Sequence, residues 1–489
     1  MFSLLFLILC VFLLGWFFFK QSFSYWQRRG LQTYPGAKFP FGHYTNPYDK
    51  NATNMGIMFK KFYDYFREKN IKHAGIYLMT TPVYMPMDLD ILKEVITKHF
   101  DHFDERGMFY NEKLQPVTAH LFQLGGARWR RLRVKLTPTF TSGKMKMMFP
   151  AVVECTKPLL ESVEGNKTVN MKEICAKFTI NVIGSCAFGI ECNSYKNTEF
   201  HYYGTRVFKT DTKRALSRNI QLIYPKIATW LSLLPFPQEV VDFFMNMITE
   251  TVKMREESGQ TRNDFIQLLI ELKNKENKEE ALTMMEVLAE GWLFFNAGFE
   301  TSSTTMSFAV FEISRSEEIQ NKAREEARRV LAKHGGEWTY EAMMELKYIQ
   351  QIIDETLRRY PPVTILNREC SRDFKIDNTI IAKGTKVFIP TYGIHMDPKY
   401  YPNPTEFDPE RFTEEAKRAR HPFAYLPFGE GPRMCIGMRF ALMQIRVGIA
   451  QLLLHNRLVA DPSVKVPLTF DKGFMLSANE LLMIQCQKI

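Results

Sequence analysis

From Thr283 to Ser314 apolar positions recur at helical spacing with no proline to interrupt them, which predicts one long helix. Shorter stretches of the same period predict helices over Ala127–Leu136, Asn263–Lys273, Glu317–Lys333, Met343–Arg359 and Met438–Asn456. Pro361-Pro362 stops the fifth of these six. "NMGIMFKKFYDYFREKN" reads as an amphipathic helix, and "HAGIYLMTTPVYMPMD" as a hairpin turning around Thr81-Pro82. From 363 to 410 the pattern turns short and extended, with strands around a Lys383-Gly384 turn. "VKVPLTFDKGFMLSANELLMIQCQ" reads as a final hairpin. The chain is therefore mainly α with small β-sheets.

The sharpest change in pattern is at the start. Residues 1–19 carry no charge, and Lys20, Trp26, Arg28 and Arg29 follow. That is close to the roughly 17–25 residues needed to cross a bilayer, with a basic, aromatic flank on the C-terminal side. A cleaved signal peptide would need a basic start and a small-residue cleavage site, and neither is there. The expected organisation is an N-terminal transmembrane anchor (1–19), a linker (20–40) broken by Gly30, Pro35, Gly36 and Pro40, and one catalytic domain (41–489). The flanking charges place that domain in the cytoplasm. Although 489 residues could make three domains by length, no low-complexity linker or repeat divides them. "ATWLSLLPFPQEV" is too apolar for an ordinary loop; it is either covered by a neighbour or a second membrane contact.

The net charge of +11 suits an anionic membrane face or an acidic partner. No basic stripe is interleaved with aromatics, so nucleic acid is not expected. The eight cysteines show no CxxC and no Cys/His metal spacing. One of them has an unusual setting: "FGEGPRMCIG", residues 428–437. Gly429 and Gly431 allow a tight turn and close approach to a flat ligand. The run after Gly437 is helix-forming, which puts the Cys435 sulfur at a helix N-terminus, beside Arg433. Both features are expected to lower the thiol pKa. Phe428 can shield the sulfur from water.

The full spacing, Phe-x-x-Gly-x-Arg-x-Cys-x-Gly, resembles the haem-binding signature of the cytochromes P450, the haem-thiolate monooxygenases. Motifs of that family follow in order along essentially the whole chain. "LTPTFTSGKMK", "YPPVTILNREC" and "PFGEGPRMCIGMRFALMQ" resemble the insect microsomal, xenobiotic-metabolising clan. The resemblance implies the P450 fold, a large α-rich and a small β-rich portion, with Cys435 as ligand to the iron of haem b. Phe428, Gly429 and Gly437 would line that cofactor from the thiolate side. "FFNAGFETSSTT" resembles the family's proton-delivery motif, with Ala297 and Gly298 beside the macrocycle and Glu300 and Thr301 catalytic. Thr301 can bond the carbonyl four residues back. Trp129, Arg133, Arg368 and Arg433 are implied to hold the propionates, with Arg106 a weaker candidate. Glu355, Arg358 and Arg411 are implied to form a buried lock bracing the Cys435 loop.

Phe109, Phe122, Phe299, Val363, Ile365 and Phe474 are the substrate-facing candidates by position, and His120 reads as a satisfied buried histidine. The implied reaction inserts one oxygen of O2 into a lipophilic substrate. Electrons come from NADPH through a FAD/FMN reductase, NADPH-cytochrome P450 reductase, with cytochrome b5 as a second candidate donor. Arg130 and Arg131 would face that donor. The implied location is the endoplasmic reticulum membrane. Two alternatives stay open: a reductase-independent hydroperoxide isomerase, and a non-enzymatic membrane haem carrier.

Overall fold

The structure, a computed structural model, describes residues 6, 10, 15, 17, 19–44, 53–190, 194, 199–208, 212–277, 279–473 and 475–489. Six helices carry the argument: α1 (Met55–Glu68), α2 (Gly126–Leu136), α3 (Met171–Ile183), α4 (Met284–Ser314), α5 (Lys347–Arg359) and α6 (Met438–His455). Thr283 caps α4: its hydroxyl accepts the Glu286 N–H, and the Glu286 carboxylate accepts the Thr283 N–H in return. Buried along most of its length, α4 forms the axis of the larger core, with α3 and α6 against it. The α3 contact is close because Gly298 has no side chain; a Cβ there would stand 2.5 Å from Ile183 Cδ1.

The strands are β1 (His73–Leu78), β2 (Thr81–Pro86), β3 (Thr168–Asn170), β4 (Leu366–Glu369), β5 (Phe374–Ile376), β6 (Thr379–Ile381), β7 (Lys386–Ile389), β8 (Asn456–Ala460) and β9 (Met483–Lys488). A four-stranded sheet runs β1-β2-β7-β4, with β2 and β7 parallel and the other pairs antiparallel. A three-stranded sheet runs β3-β9-β8, and β5 pairs with β6 alone. The four-stranded sheet and the apolar face of α1 (Met58, Phe59, Phe62, Tyr63 and Phe66) make the second core. Mainly helical with small sheets, the architecture follows the pattern read from the sequence.

Several boundaries differ. The first hairpin turns at Met79-Thr80, so Pro82 lies inside β2 opposite Tyr77. The stretch expected to be one helix over 343–359 is two, Tyr340–Met344 and α5. The residues around Lys383-Gly384 join β6 to a strand of another sheet, while the β5–β6 turn falls at 377–378. The expected last hairpin is reduced to a single bridge between Phe470 and Ala478, with β9 pairing elsewhere.

The linker expected at 20–40 is docked rather than free. Trp26 is fully buried; its Nε1 donates to the Ile76 carbonyl at 3.2 Å, over a Gly75 whose Cβ would collide with the indole. Most of 1–19 lies outside the described residues, so the expected anchor does too. No helix among the described residues is long and apolar enough to cross a membrane. Of the apolar loop, Phe236 packs on Trp292, but Trp230 (81% exposed), Leu231 and Leu234 are uncovered.

Candidate active site

Cys435 sits in the turn that precedes α6. Its N–H donates to the Phe428 carbonyl at 2.9 Å, and its sulfur accepts the Gly437 N–H. The tight turn depends on Gly431, at φ +73°, where a Cβ would lie 2.2 Å from the Ile96 carbonyl oxygen. The sulfur is open to a water-sized molecule although the residue lies deep in the molecule. Burial raises the thiol pKa; the Gly437 N–H, then Arg133 and Arg106, pull it back. This corrects the expectation of a lowered value. The helix begins three residues beyond the sulfur, at Met438, and desolvation outweighs the cations. A metal ion on the sulfur would deprotonate it outright.

Beside this turn lie three guanidiniums with no carboxylate bound to them. Arg106 donates to the Arg433 carbonyl at 3.3 Å, and its buried Nε has no partner. Arg368, on β4, donates to the Asn367 carbonyl at 2.8 Å, and its Nε is likewise unpartnered. Arg433 lies 4.1 Å over the Trp129 ring. Burial pushes Arg106 down to about 10, Arg368 to about 9 and Arg433 to about 8, with added repulsion from Arg133 on the first, from Arg106 on the second and from Arg106 and Arg368 on the third. Glu105 and Asp104 offset the last only in part. Burial also lowers Arg133, on α2, which Cys435 supports electrostatically.

Arg433 needs a correction. Its donors are spent on the carbonyls of Asp104, Leu121 and Leu124, so most of its fork braces the backbone at 104 and 121–124 rather than facing an anion. Arg106, ranked lower from the sequence, is the freer donor. A buried positive cluster with orphaned N–H groups, next to an accessible sulfur, fits a flat group carrying two carboxylates and a metal. At Gly437 a Cβ would meet no atom within 4 Å, which leaves room for such a group. Among the described residues, no cluster of three or more His, Cys, Asp or Glu could hold a bare metal ion.

On α4, Ala297 is exposed and Thr301 half-buried amid buried neighbours. Thr301 Oγ1 donates to the Ala297 carbonyl at 2.7 Å, the expected back-bond. Gly298 turns toward α3 instead and lets Ile183 approach, so its smallness serves helix packing. Glu300 faces away from Thr301. Lys172, on α3, holds it at 2.8 Å and also donates to Ser303 and Thr304. The pair borders a cavity of about 500 Å³ lined also by His201, Asp471, Gly473 and Met475.

Glu355, Arg358 and Arg411 come together. Glu355 and Arg358, both fully buried, form a two-pronged pair at 2.7 Å on each arm. Arg411 approaches Glu355 at 3.6 Å, and the Asp408 N–H donates to the same carboxylate. Arg358 donates to the His395 carbonyl at 2.9 Å, and His395 Nε2 accepts the Leu426 N–H at 2.9 Å. Burial, then Arg358, drives the His395 pKa down to about 3, so the ring stays neutral and able to accept. The Leu426 carbonyl accepts the Gly429 N–H, which links the ion pair to the Cys435 turn.

The substrate candidates scatter. Phe299 is fully buried against Phe208 and Phe295, a core residue and not a cavity wall. Ile365 and Phe109 are buried, Val363 is half-buried, and Phe122 lies under the Arg106 guanidinium. His120 is buried, but its Nδ1 has no partner, so it is not the satisfied histidine expected. Phe474 lies outside the described residues.

Sequence reading missed Lys172, His395 and Glu290. Glu290, in α4, accepts the Leu121 N–H at 2.7 Å, and burial pushes its pKa up to about 8. Lone polar residues inside helical stretches carry no local pattern that announces such partners. The charged face expected on α2 is also already paired: Arg128 with Glu112, Arg130 with Asp101 and Arg131 with Glu286.

The family model for Cytochrome P450 matches residues 47–484. The chain is 39% identical to Cytochrome P450 6a8 of Drosophila melanogaster, covering 97% of this chain and 96% of that protein. It is 40% identical to Probable cytochrome P450 6a23 of the same organism, over the same shares.

Two outcomes follow from this geometry. Glu355→Ala strands buried guanidinium charge and should cost about 3–5 kcal/mol, read from urea unfolding. For Glu290, the folded chain keeps a proton that the unfolded chain releases between the ordinary carboxylate range and about 8, so stability falls as pH rises through that window. Glu290→Gln keeps an acceptor for Leu121 and removes the titration. Its unfolding midpoint should match the parent's near about pH 5 and exceed it above about pH 8.

Proposed function

The chain belongs to the cytochrome P450 family, and we propose that it is a membrane-anchored haem-thiolate monooxygenase of lipophilic substrates. The observation that carries this reading is the accessible Cys435 sulfur set among buried, carboxylate-free arginines. Haem b, when bound, supplies the electron transfer and O2 activation that no side chain can. Cys435 is its ligand, oriented by the Gly437 N–H and shielded by Phe428. Arg106, Arg133 and Arg368, with Trp129 and the remaining donor of Arg433, hold its carboxylates. Gly429 and Gly437 leave space on the thiolate side, and Ala297 does so on the other.

Thr301 holds water with the lone pairs left after its hydroxyl donates to Ala297. Glu300 passes protons inward, and Lys172 holds it turned to the cavity between exchanges. Glu355, Arg358 and Arg411 are structural: they fix the turn that aims the sulfur.

Electrons come from NADPH through a FAD/FMN reductase, with cytochrome b5 as a further donor. An acidic partner docking on α2 would exchange the carboxylates now paired with Arg130 and Arg131. Residues 1–19 anchor the chain in the endoplasmic reticulum membrane with the catalytic domain in the cytoplasm. The uncovered Trp230, Leu231 and Leu234 support a second contact with the lipid surface. The pocket takes xenobiotics such as plant toxins and insecticides, or endogenous lipids.

The test is Thr301→Ala with reductase and NADPH. Oxygen uptake should continue, product per NADPH should fall at least about tenfold, and peroxide should appear. Unchanged product yield would remove Thr301 from proton delivery. Turnover of a hydroperoxide without NADPH, indifferent to the variant, would favour the isomerase.

A further inference from the structure

The first residue before α1 reaches across the molecule to its C-terminal turn. Asn54 is fully buried. Its Oδ1 accepts the Gly56 N–H at 2.8 Å, which caps α1. Its Nδ2 donates to three carbonyls at once: Asp471 at 3.1 Å, Gly473 at 3.0 Å and Met475 at 3.1 Å. Carbonyls can only accept, so the amide nitrogen must face them and the orientation of the side chain is fixed. Two hydrogens serve three oxygens, so at least one bond is shared.

The held turn is not a bystander. Gly473 and Met475 line the same cavity as Glu300 and Lys172. The Leu476 N–H donates to the Pro362 carbonyl at 3.1 Å, tying the turn to the segment that continues into Val363. Thr364 meets the start of α1 so closely that a Cβ at Gly56 would lie 2.4 Å from its Cβ. Thr364, from one stretch named from the sequence as substrate-facing, and Met475, from the other, therefore both meet the capped end of α1.

We infer that Asn54 is a positioning residue for substrate selectivity, clamping Asp471, Gly473 and Met475 where they line the cavity beside Glu300. The inference rests on the proposed function, because it needs that turn to face the bound molecule. Its local logic is separable by chemistry. A serine at 54 still offers an oxygen to Gly56 and keeps the cap, but it cannot reach three carbonyls with two N–H groups. The three acceptors then lose their donor while α1 keeps its start.

The experiment uses the full-length holoenzyme and three forms: parent, Asn54→Ser and Met475→Ala. Amide hydrogen exchange reads the clamp, and spectral titration with imidazole and with clotrimazole reads the pocket. Imidazole needs little more than the iron, whereas clotrimazole must fit the walls. Asn54→Ser should keep the protection of α1, lower the thermal midpoint through the unpaired carbonyls, and exchange at least about tenfold faster at Gly473, Met475 and Leu476. Its Kd for clotrimazole should rise about tenfold while that for imidazole holds. Unchanged exchange in Asn54→Ser overturns the clamp. Faster exchange with an unchanged clotrimazole Kd, while Met475→Ala shifts that Kd, overturns its role in selectivity. If neither variant shifts it, the turn does not face the ligand, and the inference falls with that part of the functional reading. Asn54→Thr, which likewise keeps a capping oxygen and lacks the amide N–H groups, replaces Asn54→Ser if the latter folds poorly.

Discussion

Positive charge buried without a carboxylate is expensive, and this fold buries three guanidiniums in one place. Burial lowers all three, Arg106 adds repulsion at Arg368 and Arg433, and Arg106 and Arg368 each keep an N–H with no acceptor. Such a cluster persists only if an anion completes it. The thiol of Cys435 obeys the same constraint from the other side, since burial holds it protonated until a cation arrives. A group bearing two carboxylates and a metal relieves both strains at once. The free energy of binding it is then partly the free energy of folding the site.

The scaffold keeps the sulfur aimed through a short relay. Glu355 and Arg358 hold each other; Arg358 holds the His395 carbonyl; His395 accepts the Leu426 N–H; and Leu426 leads into the turn that ends at Cys435. Each step ties one buried polar group to the next, so loosening one exposes the next. Across the site, α4 supplies the opposite wall. Its close contact with α3 through Gly298 brings Lys172 within reach of Glu300.

The helical period placed five of the six helices it singled out to within two residues, because each shows a continuous apolar face; the sixth breaks in two, and Gln238–Ser258 and α3 were not singled out. The sequence around Cys435 was legible because its glycines and arginine are consecutive. Glu355 and Arg358 could be paired because they lie one turn apart. What stayed hidden is non-local. Lys172 and Glu300 are 128 positions apart, and Asn54 lies 417 positions from Asp471. No local spacing encodes such partners. Periodicity also misled where one helix face serves two neighbours: Gly298 was grouped with Ala297 and Thr301, and Phe299 with a pocket, yet both face α3 or the aromatic core. The expectation of a lowered Cys435 pKa failed because the sequence shows nearby charge but not the depth of burial.

The central claim is that Cys435, as thiolate, is the iron ligand of a haem seated against these arginines. Its most direct test is the absorption of the dithionite-reduced, carbon-monoxide-treated protein, parent against Cys435→Ser, each reconstituted with haem. The account predicts the strongly red-displaced Soret band of thiolate ligation in the parent and its loss in the variant. Persistence of that band in Cys435→Ser would contradict it.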